Sequence, residues 1–163
     1  MSVLLSSDAK RFLCKHWAIV YLTIEEMENM LQKDAWNVME TGGMGSALGD
    51  IYKAVEHSLK NIIEEISGRN MAKDEKWHQK LLEEGVREGL IPDEIRKTIH
   101  GMLSYRHWDI HGYSMETREE LIRMNTPEAI QAFRIFVGHL QKGISENLSK
   151  SEKNRLKYIK ELI

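Results

Sequence analysis

The chain has 163 residues, 42% of them hydrophobic and 29% charged, and carries a formal net charge of -2. That length and apolar content fit one domain around one continuous core, and the slightly acidic balance excludes a strongly basic, non-specific nucleic-acid binder, so any RNA contact must be local. Cys14 is the single cysteine, which excludes an internal disulfide and a cysteine-rich zinc site and leaves packing as its role.

No apolar run approaches the roughly 18 residues of a membrane span. The opening MSVLLSSDAKR lacks a basic leader followed by an apolar stretch of signal-peptide length, so the chain is expected in the cytoplasm, away from membranes. Two prolines, abundant Leu, Met, Glu and Lys, and no sustained apolar/polar alternation predict an all-α protein. In chain order, a first helical stretch is expected from about Asp8 to Glu40. Its apolar residues Phe12, Leu13, Trp17, Val20, Ile24, Met27 and Leu31 recur at three- and four-residue intervals, and Gly42 and Gly43 are read as its end. A second, central helix is expected from about Ser46 to Ser67, on the stripe Leu48, Ile51, Tyr52, Val55, Leu59, Ile62, Ile63 and Ile66, with Gly68 as its stop.

A shorter helix carries Trp77, Leu81, Leu82 and Val86, and Ile91-Pro92-Asp93 opens another whose apolar face includes Ile95, Ile99, Met102 and Leu103. Further on, Thr117 and Glu120 fit a capping box for a short turn, and Thr126-Pro127-Glu128 opens a helix bearing Ile130, Phe133, Ile135, Val137 and Leu140. Ser149 and Glu152 fit the cap of a final amphipathic piece, a C-terminal helical extension over 149–163. There is no internal repeat, low-complexity linker or composition break. Residues 1–163 are therefore expected to form a single domain, an antiparallel helical bundle of four to five main helices.

The chemistry concentrates in the ten residues Ser104-Tyr105-Arg106-His107-Trp108-Asp109-Ile110-His111-Gly112-Tyr113. Arg106 supplies a fixed guanidinium fork for a phosphate, and His111, five residues on, a group that transfers protons near neutral pH. Tyr113 adds a phenolic hydroxyl just past a glycine. Such a set suits metal-free phosphodiester chemistry, with His111 moving protons while Arg106 binds the phosphate and offsets charge developing on its oxygens. The same residue types also suit an ordinary polar helix end with Trp108 and Ile110 buried between them.

The pattern Arg106, four residues, His111, one residue, Tyr113 resembles the R-x4-H-x-Y signature of HEPN proteins of the HepT-like kind, and His107 matches a polar position often found beside that arginine. Tyr52-Lys53-Ala54-Val55-Glu56 with Leu59 and Ile62-Ile63-Glu64-Glu65 resembles the second helix of those proteins, and Trp77-His78-Gln79-Lys80-Leu81-Leu82 resembles their W-H-x-x-L-L segment. The order and spacing of the three blocks agree over roughly Ile51 to Tyr113. The resemblance implies a homodimer or higher assembly in which two copies of the motif line one cleft. It also implies a metal-independent endoribonuclease without a cofactor, in which an RNA 2'-hydroxyl attacks the adjacent phosphate. Arg106 and His111 would be the catalytic pair, with His107 assisting and Tyr113 at the cleft edge. A minimal nucleotidyltransferase antitoxin would silence such a toxin by moving AMP onto Tyr113. Glu56 and Tyr52, one turn apart in a matched block, take a supporting role; Glu56 either hydrogen-bonds across the bundle or faces water.

Other readings of these residues are weaker. His107, Asp109 and His111 read H-x-D-x-H, but Trp108 occupies the position where the zincin pattern needs Glu, so no metal is assigned. Gly42-Gly43-Met44-Gly45-Ser46 invites a phosphate-loop or nucleotidyltransferase-turn reading, yet it lacks the P-loop Lys and Asp50 supplies only one carboxylate; a flexible helix connection is preferred. His78, beside Trp77, is taken as structural, and His16, His100 and His139 as surface or satisfied core residues. The alternative from another functional class is a non-catalytic helical subunit that binds a nucleotidyltransferase and helps hold its substrate.

Overall fold

A computed structural model describes residues 5–71, 77–104 and 115–145. These residues form five α-helices: α1 (Ser7–Leu31), α2 (Val38–Ser67), α3 (Trp77–Arg87), α4 (Arg96–Ser104) and α5 (Met115–Ser145). A single 3-10 turn, Asp93–Ile95, leads into α4. No strand occurs among the described residues, as an all-α bundle requires.

The central helix is α2, because its apolar residues point into neighbours on more than one side. Leu48, Ile51, Val55, Leu59, Ile62 and Ile63 are each 1% exposed or less. Around it, α1 contributes Leu13, Trp17, Ile24 and Met27, and α5 contributes Phe133, Phe136 and Val137, all buried. Burying a side chain of this size removes about 1.5–3 kcal/mol worth of apolar surface from water, which is what holds helices of ordinary propensity together. Phe12 and Ile66 belong to the expected stripes but lie at the surface. Cys14 packs partly buried against the core.

Cross-helix bonds define the directions. The Ser6 amide at the start of α1 donates to Glu65 Oε1 near the end of α2 at 3.0 Å, and Trp17 Nε1 donates to the buried Ser58 hydroxyl at 2.9 Å, so α1 and α2 are antiparallel. Tyr21 packs on Phe133 with ring centroids 5.4 Å apart, while Arg123 reaches the far end of α1 at Leu31; α5 is therefore also antiparallel to α1 and runs with α2. His139 Nε2 lies 2.7 Å from the Gly89 carbonyl, and the Thr98 hydroxyl donates to Glu128 at 2.6 Å, which sets α4 antiparallel to α5.

Two helix stops follow the expected glycine logic. Gly68 ends α2 in the left-handed region at φ 65°. Gly89, at φ 68°, ends α3 with a paired closure in which its own amide donates to Val86 and the Leu90 amide donates to Gly85. Gly85 itself has a packing role, since a Cβ there would meet Ile91 Cδ1 at 2.9 Å and Leu59 Cδ2 at 3.1 Å.

Two boundaries differ from expectation. The first helix ends at Leu31, its last apolar repeat, and α2 already starts at Val38, so Gly42, Gly43, Gly45 and Ser46 are helical. Neither a helix stop nor a phosphate loop nor a flexible connection exists there. A local cap marks the start, with Asn37 accepting from the Glu40 amide at 2.9 Å through its side chain while Glu40 Oε2 accepts from the Asn37 amide at 2.9 Å, and burial of Met44 and Leu48 holds the glycine-rich turns that follow. The second difference is that no helix begins at Thr126 and no separate turn precedes it. Helix α5 starts at Met115 and carries Pro127 in its interior. The proline removes one helical hydrogen bond, but Ile122 before it and Ala129, Ile130 and Phe133 after it are buried on one continuous face that keeps the two halves aligned. The Thr126 hydroxyl donates back to Ile122 at 2.6 Å in the same turn. The extension over 149–163 lies outside the described residues.

Nothing lies within 4 Å of a Cβ built on Gly42 or Gly43. Gly42→Ala is therefore expected to stabilise the fold by about 0.5–1 kcal/mol, through helix propensity alone, in urea unfolding; a loss of stability would mean that α2 does not extend this far. Acid sensitivity has a local source here too. The hydrogen bond from Lys33, followed by that from the Asn37 amide, holds Glu40 below the usual carboxylate range. Its folded value is depressed, so the cap's contribution is present above the unfolded value and is lost as pH falls through the folded one. Glu40→Gln is expected to reduce stability at neutral pH and to flatten the decline below about pH 4.5.

Candidate functional site

Arg106, His107, His111 and Tyr113 lie outside the described residues, as do Trp108, Asp109 and Ile110. Their place in the chain is nonetheless set by two helix ends: the segment 105–114 leaves α4 at Ser104 and enters α5 at Met115. Since α4 and α5 are antiparallel neighbours, both attachment points belong to the same end of the bundle. The end of α1 and the start of α2 meet the start of α5 there.

A compact polar clamp fixes that end. Trp36, between α1 and α2, donates its indole N–H to the Met30 carbonyl at 2.8 Å and its amide to Glu119 Oε1 at 3.2 Å. Arg123 then ties α5 to the end of α1. Its Nε donates to Glu119 at 2.8 Å, its Nη2 donates to the Lys33 carbonyl at 2.8 Å and its Nη1 to the Leu31 carbonyl at 3.4 Å. The Leu31 carbonyl, which the last turn of α1 leaves without an intrahelical donor, and the Lys33 carbonyl just past the helix thus receive a cation, favourable at a helix C-terminus. The guanidinium carbon also sits 4.1 Å from the centroid of the Trp36 ring.

Of the expected supporting residues, Tyr52 and Glu56 are described. Glu56 is 4% exposed, which rules out the water-facing alternative for its side chain. Tyr52, one turn earlier, is half-buried and lines a cavity of about 350 Å³ between α2, α4 and α5. The same cavity is lined by Lys97, Gly101 and Met102 of α4 and by Met124 and Asn125 of α5. Met102 is buried at its base, while Met124, 68% exposed, stands at its rim. Asn125 donates through Nδ2 to the Leu121 carbonyl at 2.7 Å. Tyr52 is thus brought beside the C-terminal half of α4, from which the motif segment departs.

Arg118 is a residue that sequence reasoning missed. It stands on the first turns of α5, one turn before Leu121 and on the same helical face as Leu121 and Asn125. Its Nη2 comes within 3.7 Å of a Cβ built on Gly45 of α2. The buried Nε of Arg118 has no hydrogen-bond partner among the described residues. The three-and-four spacing of Arg118, Leu121 and Asn125 was a usable signal, hidden by the expectation that the helix began at Thr126.

The remaining histidines behave differently from one another. His16 packs on Phe12 with ring centroids 4.2 Å apart in a tilted pair and meets His57 edge-on at 5.9 Å, and His139 serves the Gly89 turn. The side chain of His78 lies outside the described residues. Among the described residues no group of three or more His, Cys, Asp or Glu is arranged to hold a metal ion. No described helix is long and apolar enough to cross a membrane.

Arg123→Ala is expected to cost about 2 kcal/mol in chemical denaturation, because it removes charged hydrogen bonds to two backbone carbonyls and to Glu119. A change within about 0.5 kcal/mol would show that the clamp does not hold α5 to α1.

A comparison with protein-family models matches the chain to the model described as HepT-like protein, over residues 43–146. That span is about two thirds of the chain and contains most of α2, all of α3, α4 and α5, and the motif segment. Neither the curated proteins nor the solved structures yield a match. With the R-x4-H-x-Y pattern suspended between α4 and α5, and the family match running through it, the chain belongs to the HepT-like family of the HEPN superfamily.

Proposed function

We propose that this protein is a metal-independent endoribonuclease toxin, held in check by a nucleotidyltransferase antitoxin. The observation that carries the reading is the sequence Arg106, His111, Tyr113 within the family-matched stretch, attached at the two neighbouring helix ends Ser104 and Met115.

In this reading His111 takes the proton from an RNA 2'-hydroxyl as the 2'-oxygen attacks the adjacent phosphorus. The bond from phosphorus to the 5'-oxygen breaks, and the proton returns to that leaving oxygen. Products are a 2',3'-cyclic phosphate and a 5'-hydroxyl end. Arg106 forks onto the phosphate and offsets the charge that grows on its equatorial oxygens. His107 assists by binding or orienting the phosphate. Two copies of the chain bring two Arg106 and two His107 to one cleft, which supplies a local positive field on a chain of net charge -2. Tyr52 and the buried Glu56 support the segment from α2.

Silencing follows from the same geometry of roles. The Tyr113 oxygen attacks the α-phosphorus of a nucleoside triphosphate bound to the antitoxin, pyrophosphate leaves, and the phenol proton passes to solvent. The resulting AMP ester puts negative charge where the RNA phosphate must enter. Toxin, antitoxin and RNA would meet in the cytoplasm.

The test is cleavage of a mixed cellular RNA pool by purified protein in excess EDTA. The unaltered protein is expected to cut, and His111→Ala to cut about 10²–10⁴-fold more slowly while keeping the same circular-dichroism spectrum and sedimentation behaviour. Equal cleavage by both would remove His111 from the chemistry. Absence of cleavage by an unaltered protein whose Tyr113 is unmodified by mass spectrometry would sink the ribonuclease reading.

A further inference from the structure

We propose that the cavity between α2, α4 and α5 is a subsite for an unpaired nucleobase of the RNA, next to the bond that is cut. This rests on the ribonuclease reading above. Position is the first argument. Met102, at the base of the cavity, is two residues from Ser104, and Leu121 on its α5 wall is six residues from Met115, or about 9 Å along the helix axis. Both points at which the motif segment joins the bundle therefore lie close to the cavity.

Size and lining chemistry agree with a base. A volume of about 350 Å³ is at the small end of ligand pockets, enough for one base with its sugar and too small for a folded partner's loop. Tyr52 offers an aromatic ring and Met102 and Met124 offer polarizable thioethers, surfaces that suit the face of any base. Asn125 offers an amide for a base edge; its Nδ2 is used within α5, which leaves Oδ1 as an acceptor. Specificity follows from this, since a base presenting an N–H donor toward Oδ1 is favoured over one presenting an acceptor.

Charge is the third argument. Lys97 on α4 is exposed, and no ion pair is recorded for it among the described residues. Arg118 lies one turn beyond the cavity on α5 and is half-buried. The two cations come from opposite walls, so a strand crossing the cavity has a cation for the phosphate on either side of the bound base. Glu128, the carboxylate on the wall, accepts from the Thr98 hydroxyl at 2.6 Å through Oε1 and keeps its charge, which favours a base rather than a phosphate inside the cavity itself.

Gly101 makes the proposal testable. It lines the cavity, it is helical, and a Cβ built on it meets nothing within 4 Å, so a large side chain fits there without a clash at Cβ and narrows the cavity. The experiment uses His111→Ala protein labelled with ¹³C-methyl methionine and titrated with a short single-stranded oligoribonucleotide of mixed sequence. Met102 and Met124 methyl signals are expected to shift saturably, while Met39, at the exposed start of α2, stays still. Gly101→Phe in the same background is expected to abolish those shifts. In the otherwise unaltered protein, Gly101→Phe is expected to raise KM for RNA about tenfold with kcat little changed; Gly101→Leu, a smaller filler, should do the same in lesser degree. Shifts confined to other methionines, or an unchanged KM in a folded Gly101→Phe protein, would overturn the subsite. Failure of the unaltered protein to cleave RNA would bring down the ribonuclease reading instead, and the methyl titration then decides the cavity's role alone.

Discussion

The whole arrangement depends on the burial of α2 between its neighbours. Val55 and Leu59 are fully enclosed, and Ile51, Ile62 and Ile63 nearly so. Because α1 and α5 both pack on this helix, its axis sets where their ends fall. The end of α1, the start of α2 and the start of α5 then meet at one end of the bundle, and α4 delivers Ser104 to that same end. Residues 105–114 join these two helix ends in the chain.

The clamp of Trp36, Glu119 and Arg123 works at that end as a second constraint. Hydrophobic packing tolerates small slides along a helix axis, whereas the Arg123 bonds to Leu31 and Lys33 demand a single register. Side-chain exposures of 25% for Arg123 and 21% for Glu119 mean that water screens the pair only in part. Register at the start of α5 sets the height at which Arg118 and Asn125 stand beside the cavity.

Much of this was legible in the residues. The all-α class, the second half of α2, the Gly68 stop, the Trp77 helix and the Ile91-Pro92-Asp93 opening all follow from apolar period and local cap chemistry, and the structure carries them. The two misplaced boundaries share a physical reason. Glycines over 42–45 and a proline at 127 are breakers by intrinsic preference, and in both places tertiary burial overrides that preference. Met44 and Leu48 are buried on either side of Gly45, and Ile122 and Ala129 on either side of Pro127. A cap signal at Asn37 and Glu40 was present in the sequence but was masked by the long helix assumed to run through it. Of the candidate site, the motif is legible as an expectation from resemblance, and Tyr52 and Glu56 as expectations from their matched block. Arg118 and the cavity were not, because they exist only once α2, α4 and α5 are side by side.

The glycines of α2 carry a consequence for how the molecule comes together. Gly42, Gly43, Gly45 and Gly49 cost a free helix about 4 kcal/mol relative to alanine, so the first three turns of α2 do not hold a helix unaided. Only the later half, from Ile51 onward, has the composition to nucleate early. In the folded protein Ile122 of α5 lies 3.3 Å from a Cβ built on Gly45, so the glycine-rich half is supported by packing rather than by propensity. The first three turns of α2 are therefore helical only together with their packing against α5.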